Sequence, residues 1–280
     1  MKTSKVWAIA KKEFRDHIRN RWIIALTFIF VVLTIAASYL TGGKAGEELF
    51  GRLQGTVSTL LSISSILIPL IAIMLGYSTI SGEGENGALP LVLSYPITRG
   101  EVLVGKFLGL SLVLIASIAF GFGLGGIVIA VFAGIENTTP YMVFILLSIL
   151  LGGIYLSLSI FFSAVCKKRS TSIGAGILIF FWSMIYGTIV FGIYLSTGGT
   201  LEQLMGSEST LPGWMWKSIV VSPMDMHGTS AMQAFGLEKA FGYAMDVPSY
   251  LNLEFLVVIQ LLWFLIPAIL AYFFFKRRDL

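Results

Sequence analysis

Residues 83–106 read EGENGALPLVLSYPITRGEVLVGK, a charged and turn-rich island with a long apolar run on either side. Outward from it lie six apolar stretches of the length needed to cross a ~30 Å hydrocarbon core, about 20 residues each. They are Trp22–Leu40, Ser58–Ser81, Phe107–Phe132, Tyr141–Val165, Ser172–Leu195 and Leu253–Phe275, and Glu254, at the edge of the last, is their one charged residue. Backbone N–H and C=O groups in lipid must be satisfied within the segment, so the runs are expected to be helices. A membrane barrel would show alternating strands of ~10 residues, and no such alternation is present. Composition agrees: 56% of the 280 residues are hydrophobic and 12% charged, against about 25% charged in soluble domains. The expected fold class is an all-α polytopic membrane protein, one transmembrane domain over residues 1–280 with six membrane helices.

Charge sets the orientation. With the N-terminus in the cytoplasm, fifteen of the 19 Lys and Arg fall on the inner side, and only Lys44, Arg52, Lys217 and Lys239 fall outside. That bias is the topogenic signal, so both termini are expected to be cytoplasmic and the chain to lie in the cell membrane. It also accounts for the net charge of +4 without a nucleic-acid partner. The basic residues face lipid headgroups. The first apolar run is long enough to span, which favours a retained first helix over a cleaved signal. The lone Cys166 excludes an intramolecular disulfide.

Val6–Arg21 places Trp7, Ala10, Phe14 and Ile18 opposite Lys11, Lys12, Arg15 and Arg19. This is the pattern of an amphipathic helix in the inner headgroup layer, serving as a basic anchor, as a partner-contacting element, or as both. Thr41–Val57 reads as a short outer loop. Within the island, Asn86-Gly87 signals a turn, and Ala88–Ser94 can form two helical turns with Pro90 in the first. Thr98-Arg99-Gly100-Glu101 is a capping box, so the third membrane helix is expected to start in water near Arg99. Gly121 and Gly125, four apart in that helix, are candidates for close helix packing. The outer connection, residues 196–252, holds six of the ten Met: Met205, Met215, Met224, Met226, Met232 and Met245. Its Met224-Asp225-Met226-His227 string has soft-metal ligand types but no fixed ligand spacing. The competing and favoured reading makes these Met, Trp214, Trp216 and Phe235 parts of interfacial helices in the outer leaflet, in which case replacing Met224, Met226 and His227 with Ala is silent. No metal site is assigned.

Gly100–Phe107 fits a phosphate-binding loop up to its last position, where Phe107 stands in place of Ser or Thr and cannot ligate Mg²⁺. His17 and His227 lie on opposite sides of the membrane. The spans hold no deep ionisable group of the kind that ion-coupled transporters use and no reactive cluster, so no catalytic residue is assigned. Energy for any transport must enter from elsewhere, and the island is the port.

At this point the residues resemble the ABC-2 type family of ABC transporter permeases. The resemblance rests on the six-span topology and on Glu83, Glu85, Gly87, Leu89, Leu93, Pro96, Ile97, Thr98, Arg99, Glu101, Gly105 and Lys106. Pro90 is a departure, standing where relatives often carry an acidic residue. Within the family, Val6–Trp22 is most similar to permeases that serve maturation of the copper sites of nitrous oxide reductase. The resemblance implies a permease homodimer driven by separate cytoplasmic ABC ATPases, which bind the ATP and Mg²⁺. This chain itself needs no cofactor. The coupling loop 83–106 would seat in the ATPase, with Leu89, Leu91 and Leu93 as apolar anchors, Gly87 in the turn, and Glu83, Glu85, Arg99 and Glu101 as a polar rim. The helix bearing Trp7, Phe14, Arg15 and Arg19 would lie alongside, in contact with membrane lipid. A periplasmic or extracellular accessory protein is a further expected partner. Export of a lipid, peptide antibiotic or ion, or transmission of force without transport, stand as alternatives. The orientation is testable with reporter fusions: a fluorescent protein after Leu280 is expected to fluoresce and alkaline phosphatase after Ser196 to be active, and the reverse pattern would invert the topology.

Overall fold

The computed structural model describes residues 3–42, 49–133, 138–200, 212–237, 239–240, 243–244 and 247–278. An N-terminal helix α1 (Thr3–Ile18) precedes six long ones: α2 (Arg21–Gly42), α3 (Leu49–Gly76), α6 (Arg99–Ala133), α7 (Thr139–Val165), α8 (Arg169–Ser196) and α11 (Leu253–Arg277). Two short helices, α4 (Ser81–Glu85) and α5 (Ala88–Leu93), build the island between α3 and α6. Two more, α9 (Gly213–Ser218) and α10 (Pro223–Ala234), lie between α8 and α11, followed by a two-residue ladder of β1 (Lys239–Ala240) with β2 (Tyr243–Ala244). All six long helices are apolar enough to cross a membrane. The 35 residues of α6 extend over about 52 Å at 1.5 Å per residue, far more than the hydrocarbon needs, so its first turns stand outside.

The bundle is organised around α7, whose apolar window is 67% buried against 22% for α8 and α11. An aromatic ladder crosses the core: Phe30 of α2 meets Phe122 of α6 edge-on at 5.0 Å, and Phe122 meets Phe144 of α7 at 4.8 Å. Phe144 in turn touches His227 and Phe235 at 5.9 and 6.0 Å. Close approach of α6 to α2 depends on glycine. A Cβ on Gly121 would lie 2.1 Å from the Phe30 ring, and one on Gly125 would lie 2.5 Å from the Thr34 methyl.

Two expectations need correcting. The stretch Thr41–Val57 is not all loop: α2 runs to Gly42 and α3 begins at Leu49. More consequentially, most of the outer Met and aromatic residues pack into the bundle instead of lying flat in a leaflet. α10 leans on α3, α7, α8 and α11. Met224 and Met226 are buried, His227 is fully so, and Trp216 sits in a small cluster with Met226, Leu251 and Leu256. Trp214 alone of the named aromatics stays exposed. Met205 and Met245 lie outside the described residues. Polar groups on two spans, α3 and α11, hold α10 and the turn before it down. His227 Nε2 lies 3.2 Å from Ser64 Oγ, Gln260 Nε2 donates to Ser230 Oγ at 2.9 Å, and Trp263 Nε1 donates to the Val220 carbonyl at 3.0 Å. Burial pushes the His227 imidazole down to about 4, so it stays neutral at ordinary pH. Met226 thus packs with Trp216, Met224 belongs to the main core, and His227 lies on Phe144.

Leucine at position 121 would have to displace the Phe30 ring. Gly121→Leu is expected to destabilise the protein by about 1–3 kcal/mol, the usual cost of overpacking, read as a lower thermal midpoint in detergent. A midpoint equal to that of the unsubstituted protein would contradict the α2–α6 contact.

Candidate functional site: a polar platform at one end of the bundle

The island folds by local rules. Gly87 takes φ +69°, the left-handed conformation that glycine adopts without strain, and turns the chain between α4 and α5. The capping box forms in full: Thr98 N–H donates to Glu101 Oε2 at 2.9 Å, and Glu101 N–H donates to Thr98 Oγ1 at 3.2 Å. α4 is anchored from below by α7, where Ser163 Oγ accepts from the backbone N–H groups of Ile80 and Ser81 at 2.9 and 3.0 Å.

At the centre of the platform sits Lys106, 2% exposed. Its ammonium donates to Glu13 Oε1 of α1 at 2.8 Å and to Glu83 Oε1 of α4 at 2.6 Å. The contact is made possible by Gly105 and Gly109, one turn apart on α6. A Cβ on Gly105 would lie 2.7 Å from Ile9 Cβ, and one on Gly109 would lie 2.5 Å from the Ala10 carbonyl oxygen. The backbones of α1 and α6 thus nearly touch, as small residues at this spacing permit. Lys5 adds a second tether by donating to the Pro96 carbonyl. Burial alone would lower the pKa of Lys12, but the carboxylates of Glu13, Asp16 and Glu83 outweigh it and hold the ammonium above its ordinary value. α1 packs on α6 with one face and leaves the others open. Val6, Ala10 and Glu13 are buried against α6, Phe14 is half-buried, and Trp7, Arg15, Ile18 and Arg19 are exposed.

Charged side chains close the ends of three further helices. Arg99 Nη1 donates to the carbonyls of Phe275, Lys276 and Arg278 at 3.0, 2.9 and 2.7 Å, and its guanidinium lies 5.9 Å from the Phe275 ring centroid. Arg278 Nη1 donates to the Ser163, Ala164 and Cys166 carbonyls at 3.0, 3.2 and 3.0 Å. Glu85 Oε2 accepts from Arg169 N–H at 3.0 Å, at the start of α8. Cations at helix C-termini and an anion at an N-terminus each match the helix dipole and satisfy end groups that lack intrahelical partners.

A six-span bundle with α1 and an α4–α5 elbow packed at one end is the frame on which the comparison with known proteins bears. The profile of the ABC-2 family transporter proteins matches residues 7–280. The chain belongs to that family. Two curated relatives carry the description "Probable ABC transporter permease protein NosY". The one from Stutzerimonas stutzeri is 32% identical over 285 residues, 98% of this chain and 99% of the relative. The one from Pseudomonas aeruginosa is 31% identical over 283 residues, again 98% and 99%. The protein is a transmembrane permease subunit of an ABC transporter.

On this permease the eight residues expected at the ATPase contact divide. Glu83, Leu89, Arg99 and Glu101 turn inward: Glu83 to Lys106, Arg99 to the end of α11, Glu101 into its capping box, and Leu89 into the core at 0% exposure. Leu93 is half-buried, while Glu85 and Gly87 are exposed. Leu91 is 68% exposed and Tyr95 66%, and they crown the elbow. Of the four charged groups expected at the rim, Glu83, Arg99 and Glu101 are engaged inside the platform, while Glu85 accepts from the Arg169 N–H at its exposed edge. The links of Glu13 to Lys106 and of Arg278 to the end of α7 have no counterpart in the sequence reading. An acid on the apolar face of α1 and a lysine at the mouth of a span are the signals that could have paired the first two.

Removing one member of a buried ion group strands the others. Lys106→Met is expected to cost about 3 kcal/mol, at the low end for a buried pair because Glu83 is partly solvated, read as a lower thermal midpoint. Adding Glu13→Gln and Glu83→Gln to it should recover most of the loss. An unshifted midpoint for Lys106→Met would contradict the triad.

Proposed function

We propose that the exposed crown of the α4–α5 elbow, led by Leu91 and Tyr95, is where a cytoplasmic ABC ATPase grips this permease. Membership of the family implies such a partner, and the ATPase supplies the ATP and Mg²⁺ chemistry while this chain contributes no catalytic group. The single observation that carries the reading is the contrast on one short helix: Leu89 is fully buried, whereas Leu91 is 68% exposed at the summit of an elbow fastened on every side. Both termini lie in the cytoplasm on this reading, and the chain sits in the cell membrane. In support, α1, the elbow, Arg169 and Arg278 gather at the end where the Lys and Arg excess lies. Two permease copies pair, each with its own ATPase. ATP-driven closure of the ATPases would move each elbow with α1 and the first turns of α6 as one rigid unit.

The similarity to two proteins described as NosY supports a narrower role in maturation of the copper sites of nitrous oxide reductase, together with an accessory protein on the far side of the membrane. A strain lacking this gene would then make nitrous oxide reductase without its copper sites. Reductase of normal copper content would remove the narrower role and leave the ATPase-driven permease standing.

For the grip itself, Leu91→Asp with Tyr95→Asp should weaken co-purification with the ATPase at least about 30-fold, since central interface anchors are worth ~2 kcal/mol or more. Size-exclusion behaviour should not change, because both side chains are exposed. Undiminished ATPase binding would refute the contact.

A further inference from the structure

Away from the platform, a groove of about 490 Å³ opens between α3, α8, α9 and α10. Its walls are apolar for the most part, with Trp216 and Met224 among them, and the Ser62, Ser65 and Thr229 hydroxyls break that surface. Into it projects the carboxylate of Asp225, which has no cationic partner among the described residues. The carboxylate lies against α8 at Gly187, where a Cβ would stand 3.3 Å from Oδ1. On the same wall Ser183 is 1% exposed, with its hydroxyl beside that of the buried Tyr155. A largely desolvated carboxylate supported by a hydroxyl and by no cation is costly, and a ligand with a charged donor head would offset that cost.

We propose that this groove binds a small organic ammonium ion with an apolar body. Its head pairs with the Asp225 carboxylate and donates to Ser183 Oγ, and its body lies along Trp216 and Met224. The volume is in the usual range for a small-molecule site, about 300–1,000 Å³ with few polar groups fixing orientation. The inference rests on the transporter reading above, for which it names a class of cargo or regulator. Burial also raises the Asp225 carboxyl above its ordinary value, opposed by the Ser222 hydroxyl, a desolvation cost that a bound cation would offset.

The test uses the full chain in lipid nanodiscs without the ATPase, titrated calorimetrically with 1-aminoadamantane and with adamantane-1-carboxylate, which share one cage and carry opposite charges. Saturable binding of the amine, absence of binding by the carboxylate, and a loss of affinity of at least tenfold in Asp225→Asn are expected. Gly228→Leu gives a second handle should Asp225→Asn fail to fold. A Cβ at Gly228 meets nothing within 4 Å, so a leucine there has room to start into the groove and should also abolish binding. Equal binding of both ligands, an unaltered affinity in either folded variant, no amine binding, or saturation by silver ion alone would overturn the proposal. Because no ATPase is present, such a failure leaves the elbow contact untouched. Conversely, a failed elbow contact leaves amine binding measurable.

Discussion

One ammonium between two carboxylates ties the platform together. Lys106 holds Glu13 at 2.8 Å and Glu83 at 2.6 Å, so a single side chain joins the N-terminal helix, the elbow and the third membrane helix. Burying three charges is expensive, and an apolar replacement can be as stable as an ion group of this kind. What the ions impose is register. An apolar contact tolerates sliding, whereas an ammonium aimed at two acids on separate helices has one satisfying arrangement. The glycines at 105 and 109 bring α1 within reach of it.

The other fasteners extend that logic to the rest of the platform end. Arg99 closes α11, Arg278 closes α7, and Glu85 meets the start of α8. Helix ends in a membrane protein expose unsatisfied carbonyl and N–H groups where neighbouring backbone cannot reach them, so a side chain that satisfies one end also positions its own element against that end. The island's charged side chains are thus all engaged within the chain, and the large side chains that the elbow presents outward are Leu91 and Tyr95.

The spans were legible because a bilayer demands some twenty apolar residues in a row and few other folds supply six such runs. The capping box and the two-turn α5 were legible because their determinants lie within a few residues of one another. The ion triad was not, since Lys106 and Glu13 are 93 residues apart and Arg99 reaches a carbonyl 176 residues away. Local sequence says that these groups are charged, and only the fold says which are spent. The insertion of α10 was hidden for the same reason. Its Met and aromatic residues suit a leaflet surface as well as a protein interior. The deciding partners, Ser64 and Gln260, stand on two distant spans as ordinary polar residues of membrane helices.

Under the proposed ATPase contact, energy coupling depends on rigid attachment of α1 to the elbow. That attachment is tested most directly by the distance between spin labels at Arg15→Cys and Ser94→Cys, both exposed positions, with Cys166→Ser as background. Pulsed electron resonance on the assembled transporter, nucleotide-free and ATP-bound, should give one narrow distance that is the same in both states. A shift or broadening between the two states would show that α1 and the elbow move apart, and would contradict the account.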